Sequence, residues 1–572
     1  MKKTIHTFVA SFTILVSLHS LAEEPLGQSD LDAAMEAKLA ADSLDDFAKV
    51  IDLCRRAIDK GLTKNSQEFA DALYTGTLMD RAGMIVDAIF TADVPDPQWP
   101  RMRSFAMRDL NEVVRRDPRL GEAHLLIARL EALPGGNHDR AKKEAEKAFQ
   151  LLQDNKLSAC RAQLVLGGLA NDQDKKAKAY DKAVDLAPRN VEARRTRGFF
   201  HLVNERFAEA RADLKVALEE NPDEGSLYEA LGMAYLMEEK LDEAEKAFDK
   251  AIEIDPQAPT ALLQRARVLA LRGERPEALA DLDKALELKP DEAIPLILRA
   301  RILQQANQTD KALADLEQVL LKQPNHPAAL ELRGLIAADN RDYAAAIRDF
   351  RRLRDRNENN AMVHGQLGML HLAAKQPRAA IREFTRAIEI DPGQFGSWRG
   401  RSDAEISIGQ HKKAKDDLEK ALAINPEDDG VLNNLAWLLA TSPVDDLRNG
   451  KRAIELATKA CKVTEWKEAH VISTLAAGYA ETGDFDLAKQ YSEQAIEAGS
   501  DVEEVKKQLE KELESYQKGR PWREKQSLEE AEIKGLVRES SNVEDDDQMD
   551  KKPISRDGSK KKKVSNAPRR PF

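Results

Sequence analysis

Aromatic residues make up only 5% of this 572-residue chain, and glycines number 28. Both shortages argue against several compact α/β cores, which a chain of this length would otherwise have room for. Three cysteines, Cys54, Cys160 and Cys461, lie far apart with no Cys-x-x-Cys pair. So sparse and odd a set excludes a disulfide scaffold and a structural zinc module. There is no basic excess either: 88 Lys and Arg face 100 Asp and Glu, a formal net charge of −12. That excludes a whole-body footprint for nucleic acid. Catalytic signatures are missing: no His-Glu-x-x-His, no Gly-x-Ser-x-Gly, no phosphate-cradling Gly-x-x-x-x-Gly-Lys and no dinucleotide fingerprint. What is present is 42% hydrophobic and 33% charged residues, the make-up of long amphipathic helices. A helical interaction protein is expected, with no reaction, cofactor or metal.

The N-terminus reads as an address. Met1-Lys2-Lys3 is followed by an apolar run from Ile5 to Leu18, diluted by Ser11, Thr13 and Ser17. Ser20 and Ala22 then supply small residues at the −3 and −1 sites of a cleavage after Ala22. This is the arrangement of a secretory signal peptide (1–22), too short for a membrane span. No cysteine follows it, which argues against a lipoprotein, and no later segment reaches span length without charges. The mature chain is expected to be exported, periplasmic or secreted.

Prolines recur at 188, 222, 256, 290 and 324, then at 392 and 426, a 34-residue clock whose skipped beat falls on Glu358. A fixed period of this size marks stacked helix-turn-helix units. Proline ends each second helix because it cannot continue one. Twelve residues before each mark from 222 onward stands an alanine, from Ala210 and Ala244 through to Ala414, which suits close helix packing. The unit 225–258 carries Tyr228, Leu231, Gly232, Tyr235, Ala244, Phe248, Ala251 and Pro256. On these residues the chain resembles the tetratricopeptide repeat family. Gly198, Gly334 and Gly368 repeat the glycine, and Phe350 and Phe384 the aromatic.

The resemblance implies an all-α fold, a right-handed α-solenoid of helical hairpins. Irregular hairpins are expected over 23–156, a regular array over 157–428 and two variant units over 429–500. A capping helix should follow at 501–518, and a disordered charged tail at 519–572. The first variant opens an insertion at Thr441-Ser442-Pro443.

Two patterns bear on function. Arg197, Arg265, Arg299, Arg333 and Arg401 share one first-helix position, and Asp213, Asp281, Asp315, Asp349 and Asp417 follow each by sixteen residues. Where the arginine gives way to Leu231 or Leu367, the aspartate becomes Ala247 or Glu383. The correlation points to ion pairs clamping the two helices rather than to a ligand ladder. His364 and His371 stand where other units have Tyr228 and Tyr235, so they are expected in the core; about 10.5 Å of helical rise separates them, too much to share one ion.

In the family the first helices line a concave groove, mainly through unit positions 2, 5, 9, 12 and 13. Carried over, the central positions are Arg195, Phe199, Glu229, Met233, Leu263, Arg267, Ile297, Arg301, Glu331, Leu335, Met369, Arg399 and Asp403. This mixture suits a protein or peptide ligand, with the arginines orienting its acidic groups. No asparagine occupies position 9 in the units 191–428, so the terminal-carboxylate clamp of chaperone-docking members is not implied. The expected role is a non-enzymatic scaffold or adaptor. The alternative is a regulatory or substrate-presenting subunit of an envelope assembly or glycosylation complex. Residues 551–572 hold nine Lys and Arg and one acid, which allows a weak contact with an anionic envelope surface.

Overall fold

The computed structural model describes residues 25–91, 96–499 and 502–524. The expected signal peptide lies outside them, as does the charged tail after Glu524. Every regular element among the described residues is an α-helix, apart from one short 3₁₀ turn at Asp445–Leu447. The chain divides into two compact units at Pro290.

The first unit holds fourteen helices among its described residues: α1 (Gln28–Ala40), α2 (Leu44–Lys60), α3 (Lys64–Thr91), α4 (Trp99–Arg116), α5 (Gly121–Glu131), α6 (His138–Leu151), α7 (Lys156–Leu169), α8 (Gln173–Leu186), α9 (Val191–Val203), α10 (Phe207–Glu220), α11 (Gly225–Met237), α12 (Leu241–Ile254), α13 (Pro259–Arg272) and α14 (Arg275–Leu288). The second holds thirteen: α15 (Ala293–Gln305), α16 (Thr309–Lys322), α17 (Pro327–Asp339), α18 (Tyr343–Arg356), α19 (Ala361–Ala373), α20 (Pro377–Ile390), α21 (Phe395–Ser407), α22 (His411–Ile424), α23 (Asp429–Thr441), α24 (Gly450–Val463), α25 (Ala469–Thr482), α26 (Phe485–Ala498) and α27 (Glu503–Gln517). Within each unit the helices pack pairwise as hairpins, and each second helix also packs on the first helix of the next repeat.

The 34-residue clock is visible in three layers of the structure. The alanines Ala210, Ala244, Ala278, Ala312, Ala346, Ala380 and Ala414 are all fully buried, so each first helix lies close against its second. Where the facing residue is an aromatic, the first helix must also be small: a Cβ on Gly368 would lie 2.6 Å from the Phe384 ring. The third layer is the turn inside each hairpin. Glu205, Glu239, Gly273, Asn307, Arg341, Lys375 and Gly409 all have positive φ. Only glycine adopts that conformation without strain, yet five of the seven places hold another residue.

The arginine–aspartate pairs form as expected. In all five repeats the guanidinium Nε and Nη2 donate to both carboxylate oxygens at 2.6–2.8 Å. The five aspartates are buried and the arginines only partly exposed. Such two-pronged bonds are strong and directional. Burial pushes the Asp213 carboxyl up, but bonds from Arg197 and Arg194 outweigh it and leave it below its ordinary value. Arg197, Arg265 and Arg401 also reach the second helix of the preceding repeat, at Asp181, Asp249 and Thr385. The clamp therefore joins neighbours as well as partners. In the two exceptional repeats Leu231 packs with Ala247 in one core, and Leu367 is fully buried while Glu383 bonds His364 instead.

Upstream, the same chemistry recurs between α3 and α4, where Arg81 binds Asp109 through two bonds of 2.8 and 2.9 Å. The insertion expected after Thr441 is present as the 3₁₀ turn between α23 and α24, and α27 caps α26. The three cysteines are buried, and burial pushes each thiol up to about 11, which leaves them unreactive.

Removing one partner of a buried pair costs about 3–5 kcal/mol, and the quarter exposure of Arg333 places this clamp at the low end. Arg333→Ala is expected to lower the melting temperature clearly. Arg333→Leu with Asp349→Ala, which copies the repeat at 225, should recover most of that loss. Equal melting of the single and double variants would contradict the clamp.

Candidate functional site

Of the thirteen expected groove residues, six lie on α9, α11 and α13 of the first unit and seven on α15, α17, α19 and α21 of the second. Neighbouring first helices touch within each unit, α9 with α11, α11 with α13, α15 with α17 and α19 with α21. The repeat spacing therefore lines these residues up as rows across adjacent helices. Phe199, Leu335 and Met369 are exposed large apolar side chains. Arg267, Arg301 and Glu331 are exposed; Met233, Leu263 and Ile297 are half-buried.

Two of the arginines are already paired with acids, and Arg267 donates to Gln264 at 3.0 Å. Arg195 donates to Glu224 at 2.7 Å, and Arg399 reaches Asp428 at 3.4 Å. Each acid is the N-cap residue of the next first helix, where negative charge is favoured by the helix dipole. These arginines therefore link one repeat to the next, a contact that the reading from sequence did not include. Asp403 accepts from Asn434 at 2.8 Å. Glu229 has no such bond among the described residues. Burial first, and the charge of Asp255 second, hold its carboxyl above the ordinary value.

Five matches to a tetratricopeptide repeat model fall on residues 177–226, 201–259, 229–293, 297–361 and 366–429. This is a tetratricopeptide repeat protein. Arrays of these repeats are protein-interaction scaffolds. Similar solved structures include a tetratricopeptide repeat protein from Parabacteroides merdae ATCC 43184, 18% identical over 42% of this chain and 95% of that one, with a TM-score of 0.34. The Cut9–Hcn1 hetero-tetramer of the APC/C is 17% identical over 72% of this chain and 93% of that one, at 0.34. MamA 41-end from Desulfovibrio magneticus RS-1 is 23% identical over 30% of this chain and 96% of that one, at 0.28. No curated protein matches the chain.

The tetratricopeptide frame brings out residues that the central positions alone miss. Val203, Met237 and Leu271 occupy position 13 of three consecutive repeats and are 80, 56 and 68% exposed. The signal was available in the sequence as three apolar residues at 34-residue spacing. A second omission is the segment after α27. Residues 519–524 belong to the expected tail, yet they are placed and bonded. The Glu524 amide donates to the Thr441 carbonyl at 3.1 Å, and the Trp437 indole donates to the Glu524 carboxylate at 2.7 Å. Arg523 binds Glu481 at 2.6 Å and the Ala440 carbonyl at 3.3 Å. Trp437, Ala440 and Thr441 are positions 9, 12 and 13 of their repeat, and Glu481 is position 13 of the next. The chain's own extension thus sits on groove positions of the last two repeats.

His364 and His371 are core residues, as expected. His364 Nδ1 pairs with Glu383 at 2.6 Å, and burial lowers the pKa of His371, which bonds Gln376. No group of three or more His, Cys, Asp or Glu among the described residues is placed to hold a metal ion. No described helix is long and apolar enough to cross a membrane.

One buried acid stands apart. Glu405 on α21 is 3% exposed, and its Oε2 has no hydrogen-bond partner. Burial, then repulsion from Asp417, pushes it up to about 7. A carboxyl raised in the fold is more stable protonated there than in the unfolded chain. Stability should therefore rise as pH falls from about 7 towards the ordinary glutamate value. Glu405→Gln is expected to raise the melting temperature at pH 8 and to flatten its dependence between pH 8 and 6. An unchanged slope over that window would contradict the assignment.

Proposed function

We propose that this protein is an exported scaffold that holds an extended segment of a partner polypeptide along its first-helix rows, without catalysing a reaction. The observation that carries the reading is the ladder of Val203, Met237 and Leu271 beside Phe199 and Met233. Scattered exposed apolar residues are ordinary, but a row in register across three touching helices is a contiguous patch. Full burial of each such side chain is worth about 1.5–3 kcal/mol. Methionine adapts to differing ligand shapes.

Charge refines the proposal. Glu229 lies one helical turn before Met233, on the same face of α11. A lysine or arginine in the ligand would relieve the penalty that burial and Asp255 impose on that carboxylate. The preferred ligand is therefore apolar with at least one cation. Export rests on the first 22 residues. The basic stretch 551–572 supports a secondary, salt-sensitive contact with an anionic envelope surface, since exposed charges are screened beyond about 8 Å at physiological ionic strength.

A peptide array probed with the mature chain tests this directly. Apolar peptides containing Lys or Arg should be selected over acidic ones. Met237→Asp should weaken the selected peptides by about tenfold or more, equivalent to about 1.4 kcal/mol, without changing helicity or melting. Glu229→Gln should remove the preference for cations. Selection indifferent to apolar content, or unchanged binding by Met237→Asp, would refute the reading.

A further inference from the structure

The insertion between α23 and α24 and the strap Gly519–Glu524 build one site together. Helix α23 ends at Thr441, so its last carbonyls have no donor within the helix. The Val444 N–H, which a continued helix would give to the Ala440 carbonyl, bonds Ser442 Oγ instead at 3.2 Å. The Ala440 and Thr441 carbonyls therefore stand as acceptors at the negative end of the helix dipole. Arg448, at the far end of the insertion, donates to the Ser442 carbonyl at 2.8 Å and to Glu481 Oε1 at 2.9 Å. The insertion thus fixes Glu481 in place, with Oε2 facing the strap. Trp437 lies one turn before the two carbonyls and supplies an indole N–H. The strap meets these groups in order. Arg523 binds Glu481 Oε2 and the Ala440 carbonyl; Glu524 then sets its amide on the Thr441 carbonyl and its carboxylate on the indole.

We propose that this seat docks an extended segment of a partner polypeptide in which a cation is followed directly by an acid, with Arg523–Glu524 as its exchangeable internal occupant. The site selects that order because its negative groups, Glu481 and the Ala440 carbonyl, lie where the first residue falls, and its indole donor where the second falls. Two observations favour exchange over a permanent latch. The strap's aromatic side chain is not seated on α23: Trp522 packs against the cluster around Tyr516, on α25, α26 and α27. What holds Arg523 and Glu524 to α23 is polar bonding, which trades against bonds to water at little net gain. Glu481 also keeps Arg448 when Arg523 leaves, so its charge is not stranded. This proposal rests on the reading that first-helix rows take polypeptide, and it names the charge order that one of them selects.

The test uses the full chain labelled with 5-fluorotryptophan, in which the fluorine NMR signal of Trp437 is the one lost in Trp437→Phe. Arg523→Ala with Glu524→Ala keeps Trp522 and empties the seat, so the Trp437 signal should move. Adding acetyl-Ala-Arg-Glu-Ala-amide should return it towards its original position. The reversed peptide, acetyl-Ala-Glu-Arg-Ala-amide, should need about tenfold or more of the concentration for the same effect. The unmodified chain should respond to the first peptide too, at about tenfold or more the concentration, because a tethered occupant competes at about millimolar effective concentration. Glu481→Gln in the emptied chain should weaken the response while helicity stays unchanged. An emptied chain that does not respond, indifference to charge order, or an unmodified chain that responds as readily as the emptied one would overturn the proposal. Array-selected peptides that still bind the full chain would then show that only this site is wrong. Their failure to bind would instead sink the wider reading.

Discussion

The two-pronged bond between a first-helix arginine and a second-helix aspartate fixes the frame on which the remaining contacts depend. It sets the register of the two helices in five repeats, and Arg197, Arg265 and Arg401 also tie their hairpins to the ones before. A hairpin of two short helices cannot bury its apolar stripe alone. Stability comes from each repeat and its contact with the next. The repeats without the bond show what it replaces: Leu231 against Ala247 solves the same packing problem with apolar volume. An ion pair so buried is weak evidence of extra stability, because the apolar solution often serves equally well. What the pair adds is direction, since only one helix register satisfies both oxygens.

Much of this was legible because the repeat is its own control. Seven alanines in one column had to be small, and all are fully buried. The arginine and aspartate columns changed together, which identified partners without coordinates. Where the period fails, so did the reading. Arg81 and Asp109 make the same bond across 28 residues, and nothing in the 34-residue frame pointed to it. Arg195 and Arg399 carry no sign of a partner in the sequence because Glu224 and Asp428 are the cap residues of the next helix, outside the first-helix positions that define the groove. The strap was hidden for a different reason. Trp437 meets Glu524 across 87 residues, and a charged C-terminal stretch carries no periodic sign that it will fold back.

The structure divides labour between faces. The clamp, the alanine column and the glycine–aromatic contacts hold the hairpins shut, and the left-handed turns repeat where each hairpin reverses. The other face of the first helices retains Val203, Met237, Leu271 and Met369 in the open, where no contact of the fold requires them. In the last two repeats that face is already taken by Arg523 and Glu524, so the protein itself demonstrates how an extended segment can seat there: backbone to a helix-end carbonyl, acid to an indole and cation to a helix-end acid.

The central claim is that ligands lie on first-helix rows, and the chain's own methionines report on it. Mild peroxide oxidation of the full chain, with and without a saturating array-selected peptide, can be read residue by residue by mass spectrometry. Met237 should lose most of its reactivity when the peptide binds. Met35 and Met84, exposed on α1 and α3 and outside the three repeats that carry Val203, Met237 and Leu271, should not change. Protection of Met35 or Met84 with Met237 still fully reactive would place the ligand elsewhere and contradict the account.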